Sequence, residues 1–324
     1  MQTLTSPPHL TAPQQQPDPL WVVTGPTASG KSALALELAA AIGGEILSMD
    51  SMAIYRRLDI GTAKPSAADR ARIPHHLLDL VEPHEAFDTA RWCELAAQAL
   101  ADVQARGRRA IFVGGTPLYL MAFFKGMLQG PGRDEALRQR LEATERATPG
   151  ALHAELTRRD PAAAARIHGN DLRRLVRALE VLELTGQPIS EQQTHFGSDE
   201  WQRPCRIAVV QRSREELHAR VKVRTEAMLE QGLLAETEAV ERAGGFSQTA
   251  GAAIGYAECR DFLRGRFKDR TELRNRIRRN THQLIRRQTT WLRRLPDTIA
   301  CLPEAGVTAL RERLETPVSA RPHR

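Results

Sequence analysis

The stretch GPTASGKS, Gly25–Ser32, constrains this chain more than any other eight residues. Its spacing is that of the loop G-x-x-x-x-G-K-[ST], which wraps backbone N–H groups around a phosphate and requires a strand before it and a helix after it. Both are present. LWVVTG, Leu20 to Gly25, is a short apolar strand, and SALALELAAAI has helical composition and stops at Gly43-Gly44. Gly25, Pro26, Thr27, Ala28, Ser29, Gly30, Lys31 and Ser32 are therefore expected to hold a phosphate or pyrophosphate. Lys31 adds a point charge, and Ser32 is placed to ligate Mg²⁺.

Around this loop, strand and helix alternate. EILSMD is a second strand ending at Asp50, TARWCELAAQALADVQARG is a long amphipathic helix ending at Gly107, and RAIFVGGT is a third strand. The helix PLYLMAFF follows it, with Pro117 at its first position. This order predicts an α/β fold, a P-loop NTPase-like parallel sheet core. After Gly132 the texture turns to Ala, Arg and Glu at helical spacing, with no strand until CRIAVV, Cys205 to Val210. Residues 133–202 thus read as an inserted helical domain within a core of 20–132 and 203–316, the latter half closing in basic helices. The Pro- and Gln-rich residues 1–19 read as a disordered extension and 317–324 as a loose tail.

Charge narrows the partner. The net charge is +7, yet Arg260 to Arg294 alone holds twelve Arg and one Lys against three acids, a local excess of +10. A solvated helix face is the plain alternative, but acids within the segment are too few to pair these arginines, which favours a nucleic acid. No run of about 18 apolar residues occurs, so no membrane span is expected and the chain is placed in the cytoplasm. Four isolated cysteines, with no C-x-x-C pair, fit neither a disulfide framework nor a zinc cage.

A phosphoryl-transfer enzyme with this loop would carry an acid at the end of an apolar strand to help hold its metal. RAIFV ends instead in Gly114, Gly115 and Thr116, and the acid at a strand end near the loop is Asp50. Ligands of open α/β sheets bind outside the carboxyl ends of the strands, where Asp50 and Thr116 both project. A helix N-cap is the other reading of Asp50. On the loop alone, a small-molecule or nucleotide kinase and an RNA-binding module with a vestigial loop stay open.

The motifs GPTASGKS, DSMAIYRRLDIGTAKP, PHHLLDL, FVGGTPLYLMAFFKGM, ARIHGNDLRRLVRALEV and RRQTTWLRR fall in one order over residues 20 to 295. In that order they resemble the tRNA dimethylallyltransferases, the isopentenyl-tRNA transferase family. The resemblance implies transfer of a dimethylallyl group from dimethylallyl pyrophosphate to N6 of the adenine 3′ of a tRNA anticodon. The pyrophosphate then leaves whole, and the missing strand-end acid is no anomaly. Carried over motif by motif, Asp50 becomes the general base on the adenine amino group and Thr116 orients the reaction. The anticodon stem-loop is expected to meet Asp50, Ser51, Met52, Ala53, Thr116, Arg138 and the run Arg173, Arg174, Leu175, Val176 and Arg177. The stretch Ile277, Arg278, Arg279, Asn280, Thr281, His282, Gln283 and Leu284 completes that expected surface. Mg²⁺ and a monomeric enzyme are also expected. Ala252 and Ala257 depart from the family pattern, which has polar or basic residues at those places.

Overall fold

The computed structural model describes residues 18–126, 130–192 and 201–316. The expected extension 1–19, apart from Asp18 and Pro19, and the expected tail 317–324 lie outside them. Six parallel strands form one sheet in the order β3-β2-β4-β1-β5-β6: β1 Leu20–Thr24, β2 Glu45–Ser48, β3 His75–His76, β4 Ala110–Gly114, β5 Cys205–Val210 and β6 Ile299–Cys301. The central strands β4, β1 and β5 are near-continuous apolar runs because both faces of a parallel sheet are covered. Alternation divides them. Val22, Leu47 and Phe112 pack on one face with Trp92 and Phe123, while Trp21, Val23, Ile111 and Ala208 pack on the other with Leu34 and Leu38.

The helix after β1, Lys31–Ile42, starts and stops on left-handed glycines, Gly30 at φ 93° and Gly43 at φ 62°. The amphipathic helix Thr89–Ala105 is capped by Asp88, whose carboxylate accepts from Arg91 N–H. After β4 the helix Pro117–Leu120 widens into a π turn over Met121–Lys125.

Five helices, Glu135–Ala147, Ala151–Arg159, Pro161–Ala164, Leu172–Thr185 and Ile189–Gln192, fill the stretch read as an insertion. They enclose an apolar cluster of their own, in which Leu141, Leu156, Leu175, Leu179 and Ile189 are buried. The basic C-terminal half holds Arg214–Glu230, Leu233–Arg242, Tyr256–Leu263, the long helix Arg270–Leu292 and Gly306–Glu315.

Two expectations from the sequence are corrected. The closing segment contains a strand as well as helices: β6 pairs with β5 through Ala208, Val209 and Val210. At three residues it is too short to show a period. The expectation that the arginines of 260–294 lack acid partners fails for five of the twelve, four of which are reached by acids from elsewhere in the chain. Glu241 pairs with Arg260 and Arg264, and Glu226 pairs with Arg274 and Arg278, while Asp261 takes Arg266.

Candidate active site

At the carboxyl edge of the sheet, β1 and β4 are neighbours, with Thr24 opposite Gly114 and its hydroxyl donating to the Gly114 carbonyl at 2.8 Å. Their two exit loops therefore meet. Gly114 is demanded by the close approach of the chain leaving β2, since a Cβ there would lie 2.2 Å from the Met49 carbonyl oxygen. The loop after β1 turns with Ser29 N–H donating to Pro26 O at 3.2 Å and Lys31 Nζ to the same oxygen at 3.4 Å. Thr27, Ala28 and Lys31 face a cavity of about 590 Å³, whereas Ser29 is buried beneath the loop, its hydroxyl turned toward Gly25. Ser32 is exposed in the first turn of the helix.

Asp50, Ser51 and Met52 line the same cavity. Asp50 Oδ1 accepts from Met52 N–H at 2.8 Å and Ala53 N–H at 3.4 Å within a turn; no helix follows it before Ala67–Arg72, so the helix-cap alternative is not realised. Oδ2 has no hydrogen-bond partner among the described residues. Thr116 Oγ1 accepts from Ser51 N–H at 3.0 Å and donates to Ser51 Oγ at 3.4 Å, which ties the loop after β4 to the Asp50 turn. Burial lowers the Lys31 ammonium to about 8; Asp50 pulls it upward and Arg224 pushes it further down.

The remaining walls come from three places. Val221, Arg224, Thr225 and Met228 project from the helix Arg214–Glu230. Ile277, Thr281, Leu284, Arg287, Gln288 and Trp291 come from the long helix, at helical spacing. Arg174 reaches the cavity from the insertion. The result is one cavity lined together by the phosphate loop, the Asp50 carboxylate and apolar side chains. Ala252, where the resemblance leads one to expect a polar or basic residue, also lines the cavity, together with the guanidiniums of Arg174, Arg224 and Arg287. Ala257 lies in the first turn of Tyr256–Leu263, partly buried.

Several residues expected to meet RNA are otherwise engaged. Leu175 and Val176 are buried in the insertion's core, and Ala53 and Ile277 in the main core, so their side chains pack. Arg138 grips the buried Glu180 with two hydrogen bonds, at 2.7 and 2.8 Å, and Arg177 adds a third at 2.6 Å. Burial pushes the Glu180 carboxyl up, but these guanidinium bonds outweigh it and hold it at about 2. Arg173 is exposed, and Arg174 pairs with Asp171 at 3.4 Å. On the long helix Arg278 pairs with Glu226, and Asn280 donates to Glu258 Oε1 at 2.6 Å. His282 stacks on His218 with centroids 3.8 Å apart, while Arg279 and Gln283 are exposed.

Sequence reasoning missed Arg224 and Gln288. Gln288 is buried, accepts from Thr27 N–H at 2.9 Å and donates to the Gly115 carbonyl at 2.8 Å, joining the two exit loops. RRQTTWLRR marked its place as a motif without showing its role, and Arg224 sits among alternating charges that give no signal.

The family model for IPP transferase matches residues 53–295. A tRNA dimethylallyltransferase of Methylococcus capsulatus is 45% identical over 94% of this chain and 97% of its own. One from Anaeromyxobacter dehalogenans is 47% identical over 91% and 99%. Among solved structures, a tRNA isopentenylpyrophosphate transferase of Bacillus halodurans is 33% identical with a TM-score of 0.67, covering 91% of this chain and 95% of its own. A eukaryotic dimethylallyltransferase acting on tRNA aligns with a TM-score of 0.76 at 26% identity, covering 92% and 76%.

Proposed function

The chain belongs to the IPP transferase family, and on that footing we propose that it transfers a dimethylallyl group from dimethylallyl pyrophosphate to N6 of the adenine 3′ of the anticodon in tRNA. The observation that carries this reading is the single cavity in which the phosphate loop, the Asp50 carboxylate and an apolar wall meet. A prenyl pyrophosphate needs the phosphate loop and apolar side chains in one cavity, and β4 ends in Gly114, Gly115 and Thr116 with no acid to help hold the metal of a kinase.

In the proposed reaction the allylic C–O bond breaks and its electron pair leaves with the pyrophosphate. The N6 lone pair forms the new C–N bond, and the N6 proton passes to Asp50. The loop's N–H groups not taken by Gln288 or Pro26, with Lys31 and Arg224, would meet the charge that grows on the leaving group. Thr116 holds the Asp50 turn through Ser51. The target adenine has to leave the loop stack, at a cost of a few kcal/mol. Exposed arginines of the insertion and the long helix grip the anticodon stem-loop to offset it.

Among the described residues no group of three or more His, Cys, Asp or Glu is arranged around a cation. Ser32, exposed in the first turn of the helix after the loop, is the residue that would help hold a Mg²⁺ carried by the pyrophosphate. When bound, that ion neutralises charge on the leaving group. Among the described residues no helix is long and apolar enough to cross a membrane. The assembly that goes with this reading is a monomer acting on tRNA in the cytoplasm.

The test is product identity. Unmodified tRNA incubated with the protein and dimethylallyl pyrophosphate is digested to nucleosides; one prenyl group on the adenosine 3′ of the anticodon is expected. Unaltered adenosine from a folded, pyrophosphate-binding protein contradicts the reading.

A further inference from the structure

In the first half of the basic helix Arg270–Leu292, Arg274 and Arg278 share the single carboxylate of Glu226, while Arg270 and Arg279 are exposed without an ion pair among the described residues. In its second half and just beyond it, Arg286, Arg287 and Arg294 are exposed and have no ion pair among the described residues. Spacings of three and four put Gln283, Arg287, Thr290, Trp291 and Arg294 on one side, with Arg286 beside them. There they line a second, open groove of about 440 Å³. Arg287 and Trp291 line this groove and the reaction cavity as well, so the two spaces share a wall.

From this juxtaposition we infer that the groove is a nucleotide subsite of its own, which takes the RNA residue next to the target adenine: its base against Trp291 and its phosphates against Arg286, Arg287 and Arg294. The inference rests on the tRNA reading above and adds a place for the strand on leaving the cavity. Unpaired guanidiniums flanking one aromatic ring are the composition that grips single-stranded nucleic acid, by phosphate contact and base stacking. Trp291 is half-buried with part of its ring packed on the main core, so the ring is held in place before a base arrives. Unpaired arginines crowded on one helix face repel one another until an anion lies between them.

The measurement is affinity for an unmodified anticodon stem-loop RNA across several salt concentrations, for the wild type, Arg286→Gln/Arg294→Gln and Trp291→Leu. The arginine double variant should flatten the slope of log K against log salt by about 0.7 to 0.9 for each phosphate left without its guanidinium. Trp291→Leu should weaken binding about 5- to 100-fold, the range for one stacked base. Its Trp-dependent part should disappear when the RNA carries an abasic residue beside the target adenine, tested on each side in turn. Affinity for dimethylallyl pyrophosphate should stay at the wild-type value in the arginine variant, which guards against loss of fold. A wild-type slope in the arginine variant, together with Trp291→Leu losing affinity equally for intact and abasic RNAs, overturns the subsite. Wild-type prenyl transfer is scored in parallel, so that a failed subsite is told apart from a failed function.

Discussion

Asp50 is built to use its two oxygens differently. Oδ1 is occupied by the N–H groups of Met52 and Ala53, which fixes the carboxylate, and Oδ2 is left for chemistry. Asp50→Asn keeps the first and removes the base at the second. Single-turnover prenyl transfer should fall by about 10²-fold or more with RNA affinity little changed, the scale of general-base catalysis. Transfer near the wild-type rate contradicts that role. Lys31 gives a second residue-scale expectation, in pH. Its ammonium sits at about 8 against an ordinary 10.5, so between these values the unfolded chain holds a proton that the folded one has released. The empty protein therefore gains stability as pH rises through that window. Pyrophosphate favours the charged form and reverses the balance. Dimethylallyl pyrophosphate affinity, followed by calorimetry, should fall above pH 8 toward about tenfold per pH unit, and Lys31→Ala should abolish that dependence. A flat wild-type profile contradicts it.

At the scale of elements, the long helix both presents residues toward RNA and holds the catalytic loops together through Gln288. Gln288→Leu leaves the Thr27 N–H and the Gly115 carbonyl without their partner, a cost of about 1–3 kcal/mol for each buried group left unpaired. It should lower Tm and raise the KM for dimethylallyl pyrophosphate. Gln288→Glu, which keeps an acceptor for Thr27, should recover stability better than it recovers KM, because it adds a negative charge beside the phosphate loop. Equal recovery of both argues for a packing role alone. Elements were legible in the sequence where a local rule governs them. The strand into GPTASGKS, the glycine stops at Gly43 and the whole of Cys205–Val210 follow from apolar runs and turn residues. Pairings set by distant partners were not legible. The residues flanking Arg278 say nothing of Glu226, and a Gln in a basic helix carries no mark of the loops it bridges. Arg138 and Arg177 read as surface cations for the same reason, although Glu180 draws both inward. The strands His75–His76 and Ile299–Cys301 are too short for any period.

For the whole molecule, the carboxyl edge of the sheet, the insertion's Arg174 and the long helix enclose one cavity, and no carboxylate stands at the end of β4 to serve phosphoryl transfer. The central claim is that the loop Gly25–Ser32 grips a pyrophosphate as a leaving group and breaks no P–O bond. Its most direct test follows the bridging oxygen of dimethylallyl pyrophosphate carrying a heavy isotope at that atom, through a single turnover on unmodified tRNA, by mass spectrometry of the products. The account predicts that all of the heavy oxygen appears in intact pyrophosphate, with one pyrophosphate released per prenylated adenine and no orthophosphate. Heavy oxygen in dimethylallyl alcohol, or orthophosphate among the products, would contradict it.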